Sequence, residues 1–180
     1  TPKPYNHWTI KEIEEQIESS IRAMSLGGRL LSDNRVKLGG LESHKEELLK
    51  LDNIILLGCG TSYYASQIGV KYFQELCDFN VVQSLDGAEF IKNDIPKIGK
   101  TGLILMSQSG ETKDLHRCIE IGRENNCMII GIVNVPDSMI ARESDCGVYL
   151  NAGREVAVAS TKAFTSMVIV LSLISIWYAQ

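Results

Sequence analysis

Three short segments gather small hydrogen-bond donors in a way that suits a phosphate. The densest is Ser107-Gln108-Ser109-Gly110-Glu111-Thr112. Two serines, a threonine, a glutamine and a glycine fall within six residues. Hydroxyl and main-chain N–H groups can surround phosphate oxygens without a full positive charge, above all where a loop opens a helix and leaves N–H groups unpaired. Glu111 falls in the first helical turn, where its charge suits the helix dipole. A carboxylate must point away from a phosphate, so Glu111 takes a structural role. The second segment is Gly58-Cys59-Gly60-Thr61-Ser62. Its glycines let a ligand approach the backbone, and Thr61 and Ser62 either bind that ligand or cap a helix. It matches neither the dinucleotide nor the P-loop glycine pattern, so a nucleotide has little support. The third is Ala157-Val158-Ala159-Ser160-Thr161-Lys162. Ser160 or Thr161 is a natural cap there. Lys162 is either a cation beside an anionic ligand or a lysine on a solvated turn. Glu155 precedes this loop, where it either faces the ligand or does not take part.

Other reactive side chains point to less. Cys59 sits at a helix start, a place that can lower a thiol pKa. No histidine is near it in sequence, so it reads as a small residue in a tight turn rather than a nucleophile. His7, His44 and His116 lie far apart. The five cysteines form no CxxC pair. A zinc site and a disulfide scaffold are therefore not expected, and a reducing, cytoplasmic compartment is. No metal or cofactor is expected.

The elements that must hold these loops follow from periodicity. Thr9 and Glu12 are spaced as a capping box for a helix whose apolar face is Ile10, Ile13, Ile17, Ile21 and Met24, ended by Gly27-Gly28. A second helix is predicted from Leu41 to Leu51. Strand and helix then alternate five times. Predicted strands lie at Ile54–Leu57, Val81-Val82, Gly102–Met106, Met128–Val133 and Val148–Leu150. Predicted helices follow Ser62, Glu89 (a short one, to Lys92), Thr112, Ser138 and Ser160. The continuous apolar runs fit strands buried on both faces. This rhythm predicts a parallel sheet with helices on both sides and ligands beyond the carboxyl ends of the strands.

Composition agrees. Of 180 residues 44% are apolar and 22% charged, an ordinary globular balance, and the net charge is −4. That charge disfavours nucleic acid and anionic membranes as partners. No basic-then-apolar leader opens the chain. Ala163–Ala179 is apolar throughout but interrupted by Ser166, Ser172 and Ser175, and reads as a buried helix rather than a membrane span. Its abrupt end at Gln180 fits a piece of a longer protein.

Taken in order, Lys11-Glu12-Ile13-x-Glu15-Gln16, Leu38-Gly39-Gly40-Leu41, Gly58-Cys59-Gly60-Thr61-Ser62-Tyr63, Ser107–Thr112, Asn151-Ala152-Gly153 and Val158–Thr165 resemble the glutamine–fructose-6-phosphate aminotransferase family. The resemblance covers nearly the whole chain. It implies a sugar isomerase (SIS) fold, a flavodoxin-like three-layer α/β/α sandwich with a five-stranded parallel sheet. Residues 1–51 would be leading helices and 52–180 the first of two SIS halves. It implies an enzyme that passes ammonia from glutamine to fructose 6-phosphate and isomerises the product to glucosamine 6-phosphate, with the glutaminase domain and second SIS half lying outside this chain. By the same resemblance, Ser107, Gln108, Ser109 and Thr112 hold phosphate. Cys59, Gly60, Thr61 and Ser62 run along the substrate, and Val158 and Ser160 line the sugar. The resemblance assigns no catalytic residue to this chain; Glu155 matches a nearby acidic residue of the family and is the one candidate. The partners implied are a hexose phosphate and further copies of the chain, as a dimer or larger. A non-catalytic sugar-phosphate sensor is the alternative. Ile17 departs from the family's proline, and Val156-Ala157 from its isoleucine-glycine.

Overall fold

The computed structural model describes residues 1–180. The leading segment does not form the single capped helix that its isoleucines predict. It folds as α1 (Trp8–Glu14) and α2 (Gln16–Ala23), meeting at Glu15. The capping box is absent: the helix starts two residues earlier, with His7 as N-cap and no side-chain cap. Glu12 is turned inward instead and is only 1% exposed. The isoleucine stripe faces outward, with Ile17 74% exposed. The side of this pair that is buried carries Glu12, Ser19 and Ala23. Polar anchoring has overridden the apolar period.

A small hairpin follows, β1 (Leu30–Ser32) and β2 (Arg35–Val36), then α3 (Gly39–Glu42) and α4 (Lys45–Leu48) in place of the single helix predicted from Leu41 to Leu51. Val36, Leu38, Leu41 and Leu48 from this stretch share one core cluster with the sheet residues beyond.

The sheet has five parallel strands: β3 (Asn53–Gly58), β4 (Val81–Asp86), β5 (Thr101–Ser107), β6 (Met128–Val133) and β7 (Cys146–Tyr149). Their order is β4-β3-β5-β6-β7, the flavodoxin-like 2-1-3-4-5 arrangement. Helices α5 (Thr61–Leu76), α6 (Lys113–Glu124), α7 (Met139–Glu143) and α8 (Lys162–Ala179) complete the chain. Side chains on a strand alternate between faces. Ile54 and Leu56 accordingly pack with Phe73 and Leu171, while Ile55 and Leu57 pack with Leu115 and Ile119. Thus α5 and α8 cover one face, and α6 and α7 the other, giving the expected three layers.

Several boundaries differ from the sequence reading for one reason, the position of each strand in the sheet. β4 is an edge strand, half-buried along its length, so polar Gln83, Ser84 and Asp86 extend it past Val81-Val82. The helix predicted at Glu89–Lys92 is a turn followed by one 3-10 turn at Lys92–Asp94. α8 is long and apolar enough to cross a membrane by length and composition alone. Here it lies in the core, with Val170, Leu171, Ile174 and Trp177 buried and the Trp177 indole N–H donating to Glu42 Oε1 at 2.9 Å.

Candidate functional site

Strand order reverses between β3 and β5. The connections from their carboxyl ends therefore run to opposite faces of the sheet, and it is at such a switch point that ligands of open α/β sheets bind. The first two donor-rich loops leave those two strands.

The loop after β3 turns on Gly60, which has φ +58° and serves as N-cap of α5 without any side-chain cap. Neither Thr61 nor Ser62 is used as a cap, so the hydroxyls and first N–H groups of this 16-residue helix stay available. Gly58 is required for space. A Cβ there would come within 2.7–2.8 Å of main-chain atoms of Ser62 and Tyr63. Cys59 is half-buried, and its thiol pKa is raised, first by burial and then by the Asp86 and Asp114 carboxylates. The expected pull of the helix start is outweighed, and Cys59 is held protonated.

The loop after β5 is folded around Ser107. Its buried Oγ accepts from Gly110 N–H at 2.9 Å and shares a hydrogen bond with Thr112 Oγ1 at 2.8 Å. Ser109 Oγ accepts from Glu111 N–H at 3.2 Å. Ser107 therefore shapes the loop, while Gln108 and Ser109 present their side chains at its surface. Glu111 has the structural role its position predicts: Oε1 accepts from Met139 N–H at 2.9 Å, at the start of α7. Gly110 O accepts from Ile140 N–H at 3.0 Å. The loop thus rests on the segment after β6.

The third segment follows β7. Glu155, rather than Ser160 or Thr161, caps α8. Its Oε1 accepts from Thr161 N–H at 2.9 Å and Ala163 N–H at 3.2 Å, and its Oε2 accepts from Ser160 Oγ at 3.3 Å. Both oxygens are thereby occupied in closing the loop. Val158 projects fully into solvent. Lys162 is neither on a solvated turn nor free beside a ligand. It is 2% exposed, and its Nζ pairs with Glu15 Oε2 at 2.6 Å.

Sequence reasoning missed Asn134, which ties two of these loops together. Its main-chain N–H donates to Gln108 O at 3.2 Å. Its side chain accepts from Ala152 N–H at 2.9 Å and donates to Gly153 O at 2.7 Å. An asparagine directly after a buried strand was the available signal. Arg117 was missed too: its guanidinium donates to the carbonyls of Gly87, Ala88 and Phe90 at 2.9–3.0 Å, fixing the turn after β4 beside Cys59. A cavity of about 600 Å³ lies at the other end of the sheet, lined by His44, Lys50, Lys100, Asn126 and Asp145 among others. No group of three or more His, Cys, Asp or Glu side chains is gathered to hold a metal.

The family model for the SIS domain matches residues 47–176. The chain belongs to the SIS domain family. Its relatives narrow the kind of SIS domain. It is 46% identical over 179 residues to "Probable glutamine–fructose-6-phosphate aminotransferase [isomerizing]" of Acanthamoeba polyphaga mimivirus, covering 98% of this chain and 28% of that protein. It is 39% identical over 177 residues to glutamine–fructose-6-phosphate aminotransferase [isomerizing] of Encephalitozoon cuniculi, covering 96% of this chain and 24% of that one. The chain therefore spans about a quarter of the length of these curated relatives. Among solved structures, the C-terminal domain of glucosamine-fructose-6-phosphate aminotransferase from Francisella tularensis superimposes with a TM-score of 0.85 at 29% identity, covering 97% of this chain and 48% of that one. The α/β/α sandwich expected from the sequence is thus the SIS fold.

Proposed function

We propose that this SIS domain is the first half of the isomerase part of a glutamine–fructose-6-phosphate aminotransferase, and that its crevice binds a hexose phosphate, fructose 6-phosphate or the product glucosamine 6-phosphate. The observation that carries the reading is the loop Ser107–Thr112: a donor-rich turn at a switch point, braced from behind by Glu111 and Ser107 so that Gln108, Ser109 and the start of α6 face outward. In this reading Ser107, Gln108, Ser109 and Thr112 form the phosphate cradle, Ser107 chiefly by shaping it. Cys59, Gly60, Thr61 and Ser62 lie along the sugar, with Val158 and Ser160 on its other side. Glu155 holds α8 and its loop rather than moving a proton. The groups that open the sugar ring and shuttle its protons belong to the remainder of the longer protein, so the chain alone makes no glucosamine 6-phosphate. Assembly as a dimer or larger is part of the reading, supported by the outward-facing isoleucines of α1 and α2. A cytoplasmic location is supported by five free cysteines.

Calorimetry tests the reading. Fructose 6-phosphate should bind, and Ser109→Ala should weaken it by about 10- to 100-fold, the loss of one hydrogen bond to a charged group worth about 1.5–3 kcal/mol. Binding of free fructose should change little. Equal affinity of wild type and Ser109→Ala for fructose 6-phosphate would remove the assignment.

A further inference from the structure

The motif Lys11-Glu12-Ile13-x-Glu15-Gln16 lies outside the residues matched by the SIS family model, yet three of its polar side chains reach one place. Glu12 Oε1 accepts from Val156 N–H at 2.6 Å and Ala157 N–H at 3.3 Å, and its Oε2 accepts from Ala157 N–H at 3.2 Å. Glu15 pairs with Lys162 at 2.6 Å. Gln16 Oε1 accepts from Thr165 Oγ1 at 2.5 Å. Six residues later, Arg22 donates to Asn151 O at 3.1 Å and Ala152 O at 3.0 Å. Four side chains, from α1, α2 and the residue that joins them, thus grip both ends and the middle of a single segment, residues 151–165.

Glu12 is the informative member. It is a carboxylate at 1% exposure whose hydrogen-bond partners are main-chain N–H groups of a loop 144 residues away. Burying a charge is costly unless it is hydrogen-bonded, and such charge-assisted bonds are strong and directional. The two N–H groups belong to the residues immediately before Val158. Glu155 closes the same loop from its other side through Thr161 and Ala163. The loop is therefore suspended between two carboxylates, one from the leading helices and one of its own. Apolar packing of the leading helices is confined to the end of α2, where Ala23 and Met24 join the core, and the isoleucine face is left outside.

We infer that Glu12 is a positioning residue for the sugar-lining loop, and that the leading helices are a working part of the sugar site rather than a spacer before it. This rests on the hexose-phosphate reading above. Glu12 does not touch the phosphate loop, which is braced by Ser107, by the start of α7 and by Asn134, whose side chain meets the gripped segment only at Ala152 and Gly153, away from Val156 and Ala157. Its loss should act on the sugar and spare the phosphate.

The test compares the wild-type chain with Glu12→Gln, which keeps shape and one acceptor but loses the charge, and with Glu12→Asp, which keeps the charge but draws it back by one methylene. Two probes are titrated by calorimetry, fructose 6-phosphate and inorganic phosphate, and amide exchange is read at Val156 and Ala157. We expect both variants to weaken fructose 6-phosphate by about tenfold, equivalent to about 1.4 kcal/mol, to leave inorganic phosphate within about twofold, and to speed exchange at the two amides. A parallel loss for both probes would mean general destabilisation and overturn the inference, as would unchanged fructose 6-phosphate binding. A wild-type chain that does not bind fructose 6-phosphate defeats the proposed function instead. In that event unchanged exchange at Val156 and Ala157 in Glu12→Gln would overturn the positioning on its own.

Discussion

Gly58 and Gly60 look interchangeable in sequence but meet different constraints, and alanine at each should separate them. At Gly58 the obstacle is space. A Cβ would stand 2.7 Å from Ser62 C, 2.8 Å from Ser62 O and 2.8 Å from Tyr63 N. Ordinary contact begins near 3.4 Å, so the first turn of α5 must retreat by roughly 0.6 Å. All three obstructing atoms are main chain and cannot rotate aside. Overpacking of this kind costs about 3 kcal/mol, the upper part of its usual range. For a chain of this length that lowers Tm by about 6–12 °C. At Gly60 the space is open, with nothing within 4 Å of a Cβ, but φ is +58°. With ψ at −127° this is a region essentially confined to glycine, and it costs an alanine about 1–3 kcal/mol, or about 2–12 °C. Gly58→Ala should also weaken fructose 6-phosphate, because it displaces the N–H groups of Thr61 and Ser62, whereas Gly60→Ala should weaken it less. Thermal unfolding followed by circular dichroism, with calorimetry on the folded variants, measures both. A Gly58→Ala chain that melts with the wild type would refute the close-approach argument.

Three further outcomes follow from the same geometry. Ser107→Ala leaves the buried Gly110 N–H without its acceptor and should cost about 1–3 kcal/mol in urea denaturation; unchanged stability would mean the loop is shaped by something else. Cys59, with its thiol raised above the ordinary value by burial and by Asp86 and Asp114, should be alkylated by iodoacetamide at neutral pH more slowly than free cysteine, as read by mass spectrometry of its peptide. Faster labelling would restore it as a nucleophile. The Glu15 carboxyl is held below its ordinary 4.5, chiefly by the hydrogen bond from Lys162, with burial opposing. A depressed carboxylate stabilises the fold above its unfolded pKa and loses that contribution as pH falls through its folded pKa. The stability gap between wild type and Glu15→Gln should therefore be present at neutral pH and shrink below pH 4.5, in urea titrations across that range.

What could be read from the sequence depended on how far each signal reached. Ile54–Leu57 announced a strand because four apolar residues in a row need cover on both faces, and the sheet supplies it. The alternation of such runs with helical periods was enough for the fold. β4 was only partly visible, since an edge strand tolerates Gln83 and Ser84 and needs no apolar run. The turns after β3 and β5 were legible because glycines, hydroxyl side chains and the helix start fall within six residues. Glu12 was misread because the capping-box pattern spans three residues, whereas its true partners, Val156 and Ala157, are far along the chain. Lys162 and Glu155 were ambiguous for the same reason, as their roles depend on Glu15 and on the turn of a loop. The isoleucine stripe had the right period for a helix and the wrong implication about burial, because α1 and α2 are held by their polar side.

The central claim, that the crevice between β3 and β5 holds a hexose phosphate through the loop at Ser107, is tested most directly by amide chemical shifts during titration with fructose 6-phosphate. The account predicts that the largest shifts fall on Gln108, Ser109, Gly110 and Thr112, followed by Thr61 and Ser62. Shifts confined to Lys50, Lys100 and Asn126, around the cavity at the opposite end of the sheet, would contradict it.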